Sequence, residues 1–310
     1  MRISEASRGR LEGLSSQFER AQPFRHVVID DFLDASSIER LMQEFPAFDP
    51  KCATNEAGVG GRKSAIPNIA KISPAYQDFD RLMQSQDFLS MIGKVAGIGD
   101  LLYDPQYVGG GTHENLDGQD LDLHIDFNFH PSKGWHRRLN LIVFLNRVWE
   151  PAWGGCLELH KDPWDPSRNE RVTVVPESNR AVIFETTENS WHGFRRIALP
   201  EDRQDLSRRS LAVYFYTKTR PAAETATQHA TVYVPQMLPE HLEAGYSLKP
   251  EDVHALQVLM ERRNTQIRFL YERELEFSEA LSSIRESVSF RAGRVLTAPL
   301  RWLRDRGARK

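Results

Sequence analysis

The chain has 310 residues, 40% of them hydrophobic and 27% charged, with a formal net charge of −3, a pI near 6.4 and two cysteines. That balance allows a large globular domain plus an appendage and excludes a disordered chain, and no run approaches the ~18 apolar residues of a membrane span. Cys52 and Cys156, without metal-type spacing, exclude a disulfide framework and fit a reducing compartment, so a cytoplasmic location is expected.

In chain order, Ser4 to Arg20 reads as an amphipathic helix and Phe24 to Phe32 as a strand. Ala35 to Glu44 and Phe79 to Ala96 read as helices, capped by Asp34 and by Asp78 or Asp80. Between them Lys51 to Ile72 is polar and glycine-bearing. Its Gly-Val-Gly-Gly run lacks the Gly-Lys-Ser/Thr order of a phosphate loop, which leaves a loop reading, with a lid role open.

Polar and apolar residues then alternate without a break from Leu121 to His130 (LDLHIDFNFH). A side-chain period of two puts His124 and Asp126 on one face, one pleat apart. An imidazole and a carboxylate so placed can share a metal ion. With His192 as a third ligand they form a two-His-one-carboxylate triad, which suits non-haem Fe(II) and leaves coordination positions open. Further on, Leu139 to Asn146 reads as a buried strand, Trp153-Gly154-Gly155 as a turn and Cys156 to His160 as the next strand. His192 follows another strand and a polar turn, and Ser207 to Thr217 opens a strand on arginine. His113, His130, His136 and His160 compete as ligands; His130 lies six residues from His124, about 20 Å along a straight strand, too far for the same ion.

His124-x-Asp126, the Leu-Asn-x-x-x-Phe-Leu-Asn strand, Trp-Gly-Gly, His192 and Arg209-Ser210-Leu211 together resemble the Fe(II)/2-oxoglutarate dioxygenases of the prolyl 4-hydroxylase-like group over about residues 103–218. The resemblance implies a mainly β fold with flanking α: a double-stranded β-helix (jelly roll) with N-terminal helices and a long C-terminal helix. It implies Fe(II) on His124, Asp126 and His192, and 2-oxoglutarate as co-substrate, its far carboxylate held by a basic residue on a late strand. Ascorbate is the expected reductant. Alternation lets only one of Arg208 and Arg209 face the barrel interior, and the family pattern selects Arg209. Tyr107, close to Gly109-Gly110-Gly111, and Asn140 are the further expected co-substrate contacts. Phe144 stands where relatives often carry a tyrosine. Asn128, Arg137, Trp191 and Arg195 are candidates for the rim. The reaction implied is hydroxylation of a peptide, small-molecule or glycan-related substrate with release of succinate and CO2, since halogenating relatives lack the carboxylate that Asp126 supplies. The alternative is a noncatalytic or 2-oxoglutarate-independent metal-binding barrel acting as a scaffold at a membrane surface.

The expected organisation is a support region over 1–100, the jelly-roll core over 101–220, an extended connection over 221–250 and a helix with a basic tail over 251–310. Leu256, Met260, Ile267, Leu270, Phe277, Leu281, Ile284 and Val288 form a heptad seam interrupted by Arg263 and Glu274. It fits a coiled-coil homodimer through 254–288, or packing on the barrel. Over 285–310 eight Arg and Lys against two acids give +6, leaving −9 on the rest. With Trp302 among apolar residues, that tail fits a peripheral contact with an anionic membrane surface at the inner membrane face. No nucleic-acid partner is expected.

Overall fold

The computed structural model describes residues 1–49, 63–236, 238 and 241–297. The chain divides into two compact units, Met1–Gln236 and Met237–Lys310.

In the first unit, two antiparallel sheets face each other. The larger carries β1 (His26–Ile29), β2 (Lys63–Ile66), β3 (Leu102–Tyr103), β4 (Gly111–Asn115), β6 (His136–Phe144), β9 (Ala181–Glu185) and β11 (Arg208–Thr217). Its order is β1-β9-β6-β11-β4-β2, with β3 also on β11. The smaller carries β5 (Leu121–Ile125), β7 (Leu157–His160), β8 (Arg171–Val174), β10 (Trp191–Phe194) and β12 (Val232–Tyr233), in the order β12-β5-β10-β7-β8. This is the expected jelly roll.

Period-two alternation in the large sheet sorts its residues onto two cores. Leu139, Leu141 and Val143 of β6, Ile183 of β9 and Leu211, Val213 and Phe215 of β11 pack outward with residues of the flanking helices. Those helices are α1 (Glu5–Gly9), α2 (Leu11–Arg20), α3 (Ala35–Gln43), α4 (Pro74–Met83) and α5 (Gln86–Ala96). Phe144 of β6 and Val182 and Phe184 of β9 point inward, against Leu157 and Leu159 of the small sheet. Each fully buried Leu or Phe contributes about 1.5–3 kcal/mol, so the outward core anchors the helices to the sheet.

Several elements differ from expectation. The first helix breaks at Arg10, whose backbone N–H caps on Ser7 O. The single helix expected over 79–96 is two: α4 opens after Ser73 with Pro74 at its first position, and the Ser85 hydroxyl caps α5, so neither Asp78 nor Asp80 is the cap. Asp34 caps α3 as expected, accepting from Ser37 N at 3.0 Å. Within Lys51 to Ile72, read as a loop, 63–66 is β2, paired to β4; the segment 50–62, with its glycine run, lies outside the described residues.

The second unit carries α6 (Pro250–Glu286) and α7 (Val288–Leu296). Asp252 holds the start of α6, accepting from Lys249 N at 2.9 Å and Tyr246 OH at 2.9 Å. Among the described residues no helix is long and apolar enough to cross a membrane.

Candidate metal and co-substrate site

His124 sits on β5 and His192 directly opposite it on β10, a Cα pair of the small sheet, with ring centroids 4.3 Å apart. Asp126 follows just past the end of β5. The strand therefore stops short of the ten-residue alternation in the sequence, and the carboxylate just past its end lies beside both rings. Ligand atoms of His124, Asp126 and His192 all lie within 4.8 Å of one another, the one such His, Cys, Asp or Glu group among the described residues. His124 Nε2 is 3.7 Å from Asp126 Oδ1 and His192 Nε2 is 3.5 Å from Oδ2.

The tautomers follow from the backbone. His124 Nδ1 lies 2.8 Å from Asp122 O, and His192 Nδ1 lies 2.9 Å from Ser190 O. A carbonyl only accepts, so each Nδ1 carries the proton and each Nε2 keeps its lone pair for the centre. Burial lowers the His192 pKa, opposed in part by Asp126, and so favours the neutral ring that a metal needs.

Asp126 is gripped from behind. Asn140 Nδ2 donates to Oδ2 at 2.8 Å, and Arg137 Nε donates to Asn140 Oδ1 at 3.0 Å, fixing which way the amide points. Arg137 Nη2 is 3.0 Å from the same Oδ2, an ion pair by distance whose N–H bonds are not aimed along it. Burial alone would raise the Asp126 carboxyl, but Arg137, then His192, His124 and Asn140, hold it below the usual carboxylate range. Arg137 itself is 1% exposed, with its guanidinium carbon 3.5 Å from the Tyr214 ring centroid and 4.6 Å from that of Phe127. The sequence placed Arg137 on the rim. A bulge in the β6–β11 pairing between Phe215 and Tyr216 turns it inward onto the site.

The arginine expected to meet 2-oxoglutarate requires correction. Arg209 shares the outward face of β11 with Leu211, Val213 and Phe215. Its Nε donates to Glu114 Oε1 at 3.0 Å, and its guanidinium stacks on Phe45. Arg208 faces inward. Its Nε donates to Gly155 O at 2.6 Å, and it lies over the rings of Phe194 (4.3 Å) and Phe144 (5.1 Å), Phe194 standing two residues beyond His192. Arg208 is 4% exposed, and no carboxylate among the described residues pairs with it; burial pushes its guanidinium down to about 10, opposed only by Cys156. A buried cation in an aromatic cage without a counter-charge fits a ligand carboxylate. The second glycine of the Trp-Gly-Gly turn leaves room for that side chain: Gly155 has a positive φ (66°), and a Cβ there would lie 3.3 Å from Arg208 Cδ.

Tyr107 also departs from expectation. It packs in the outward core and donates from its hydroxyl to Asp80 Oδ1 at 3.1 Å, because its backbone is left-handed (φ 49°) and turns the ring toward α4. Asn140 is at the site, on Asp126. Phe144 is core. Of the other rim candidates, Asn128 binds the backbone at Thr227 and His229, Trp191 packs with Ile125 and Val234, and Arg195 pairs with Glu158. His130 is buried beside Asp104 and Tyr216, away from the triad. Sequence reasoning missed Tyr233, whose ring lies 5.3 Å from that of His124 because β12 pairs with β5. The Val-Tyr-Val run in a proline-rich connection was its only signal.

The donor set fits iron, and the aromatic interior with Arg208 fits a dicarboxylate. Residues 111–216 match the family model described as the 2OG-Fe(II) oxygenase superfamily. A search of curated proteins finds no significant match. Among solved structures, similar chains include a prolyl hydroxylase from Trichoplax adhaerens in complex with a hypoxia inducible factor peptide (15% identity, 72% of this chain and 98% of that one, TM-score 0.48). A Pseudomonas putida prolyl-4-hydroxylase is also similar (16%, 67% and 99%, TM-score 0.42), as is HygX from Streptomyces hygroscopicus with nickel, 2-oxoglutarate and hygromycin B bound (15%, 66% and 91%, TM-score 0.43). Residues 111–216 carry the match to the 2OG-Fe(II) oxygenase superfamily within the jelly roll, and that match indicates that the chain is an enzyme.

Proposed function

We propose that the protein is an Fe(II)/2-oxoglutarate-dependent hydroxylase in which Arg208, not Arg209, receives the distal carboxylate of the co-substrate. The observation that carries this reading is one jelly-roll interior holding both the His124–Asp126–His192 cluster and a buried arginine without a counter-charge. His124, His192 and Asp126 would hold iron, which supplies oxidative decarboxylation of 2-oxoglutarate coupled to oxidation of a C–H bond. The chain's own residues orient and exclude. Asn140 and Arg137 keep the Asp126 carboxylate ionised and turned to the imidazoles, while Phe144, Phe184 and Phe194 keep water from the space between triad and Arg208. The substrate is a peptide, small molecule or glycan-related compound, and ascorbate is the reductant. Succinate formed from 2-oxoglutarate with Fe(II), ascorbate and oxygen, and absent in His192→Ala, supports the reading. Iron binding without any 2-oxoglutarate turnover would replace it with a 2-oxoglutarate-independent metal barrel. A cytoplasmic location rests on the low cysteine count, and a membrane-surface contact on the +6 charge of 285–310, of which 298–310 lie outside the described residues. Salt-dependent co-pelleting with anionic vesicles tests the contact.

A further inference from the structure

In the small sheet, β5 with His124 lies between β10, which carries His192, and β12. β12 falls beyond the matched segment 111–216. Without it, β5 would be an edge strand with no strand alongside the His124 ring on that side. The register sets Val232 on Ile125 and Tyr233 on His124, and Val234 N donates to Leu123 O at 2.7 Å. Directly paired residues share a face of a sheet, so the Tyr233 ring stands beside the imidazole, 5.3 Å between centroids and 33° between planes. From the β10 side, His192 lies at 4.3 Å and 46°. Val232 points to the opposite face and is 38% exposed.

The chain around β12 is tied to both ends of the ligand pair. Asn128, two residues beyond Asp126, donates from Nδ2 to Thr227 O at 2.9 Å and accepts at Oδ1 from His229 N at 3.0 Å. Gln236 Nε2 donates at 2.6 Å to Oδ1 of Asp122, two residues before His124. Residues 227–236 therefore grip the segment 122–128, which supplies two of the three ligands. His229 Nε2 also lies 3.0 Å from Glu188 Oε1, in the turn that leads to His192. An imidazole serves a metal only while its Nε2 lone pair stays aimed at the ion. The contact of Nδ1 with Asp122 O fixes the tautomer, and the rings of Tyr233 and His192 limit the swing of the plane.

We infer that Tyr233 is a positioning residue of the metal centre: its ring, carried on β12 by residues 227–236, holds the His124 imidazole in the orientation in which Nε2 binds a divalent ion. The centroid separation falls in the range of about 4.5–7 Å that ring pairs favour. Part of the centre is thus supplied from outside the segment that matches the family model. The inference rests on the His124–Asp126–His192 reading and is independent of 2-oxoglutarate.

The probe is Mn(II) alone, titrated into the full-length chain and read from the free-ion EPR signal, with a thermal melt of each variant. Tyr233→Ile keeps apolar bulk and strand preference but loses the flat ring, and is expected to weaken Mn(II) binding about 10-fold. Tyr233→Phe keeps the ring and is expected to stay within about twofold of wild type. Val232→Thr alters the other face of the same strand and leaves the affinity unchanged. Should Tyr233→Ile not fold, Asn128→Ala decides: it frees the carrier of the ring, leaves the ring itself in place and is expected to weaken binding about threefold. Wild-type affinity in Tyr233→Ile, or in Asn128→Ala where that variant decides, overturns the inference. So does a loss in Tyr233→Phe or Val232→Thr as large as that in Tyr233→Ile. Wild-type protein that takes up no Mn(II), or His124→Ala that binds it as wild type does, overturns the triad reading itself and this inference with it.

Discussion

Replacing Arg208 by Met keeps the stem that lies over Phe144 and Phe194 and removes only the charge and its donors. The wild-type guanidinium lies in an apolar cage at 4% exposure, spends Nε on Gly155 O and has no anionic neighbour among the described residues. A dicarboxylate entering that cage gains a charge-assisted, two-pronged contact in a medium of low polarity. Losing it costs about 2–5 kcal/mol, or ~30- to ~4,000-fold in affinity at 1.4 kcal/mol per tenfold. The folded protein itself should not suffer, because removing a buried cation without a counter-charge relieves a desolvation cost. The assay is anaerobic calorimetric titration of 2-oxoglutarate into Mn(II)-loaded protein, which reads binding without turnover, with a thermal melt to confirm folding. Arg209→Met is the internal control. It breaks the pair with Glu114, at a cost of about 1 kcal/mol since Arg209 is 39% exposed, and leaves 2-oxoglutarate affinity unchanged. Arg209→Met abolishing binding while Arg208→Met stays within threefold of wild type would refute the facing argument.

Other perturbations probe the remaining parts. His124→Ala or His192→Ala leaves two ligands, and retained iron after gel filtration should fall to background; unchanged iron content in both would sink the triad. Asn140→Ala removes the 2.8 Å hydrogen bond that orients Asp126 and is expected to weaken Mn(II) affinity about 10- to 100-fold in a competition titration, whereas an affinity equal to wild type would assign Asn140 to packing alone. Asp34→Ala strips the α3 cap and should cost about 1 kcal/mol in urea unfolding at pH 7. Burial raises the Asp34 carboxyl, but Ser36 and Ser37 outweigh it and hold the group at about 2. The cap's advantage is therefore complete above the unfolded value near 4 and fades as pH falls through 2. An Asp34→Ala deficit that grows on acidification would contradict that sign.

The sequence by itself determined the alternation that lays out the strands, the pair His124-x-Asp126 and the apolar and polar sorting of β6 and β11. Each is a local consequence of a side-chain period of two. It also determined the α6 seam, because a heptad is written in one helix. What only the tertiary structure decided is which face of a strand is the inside. Arg208 and Arg209 are equally good readings of one β-strand, and the choice depends on which side of the large sheet the helices α2–α5 cover; they take the side of Leu211, Val213 and Phe215, and Arg209 goes with them. The same holds where the chain leaves regular geometry. A bulge brings Arg137 onto Asp126, and a left-handed backbone accompanies the contact of Tyr107 with Asp80. Pairing between distant segments, as when β12 sets Tyr233 beside His124, leaves no periodicity in the chain, because the contact energy that selects it exists only once both strands are in place.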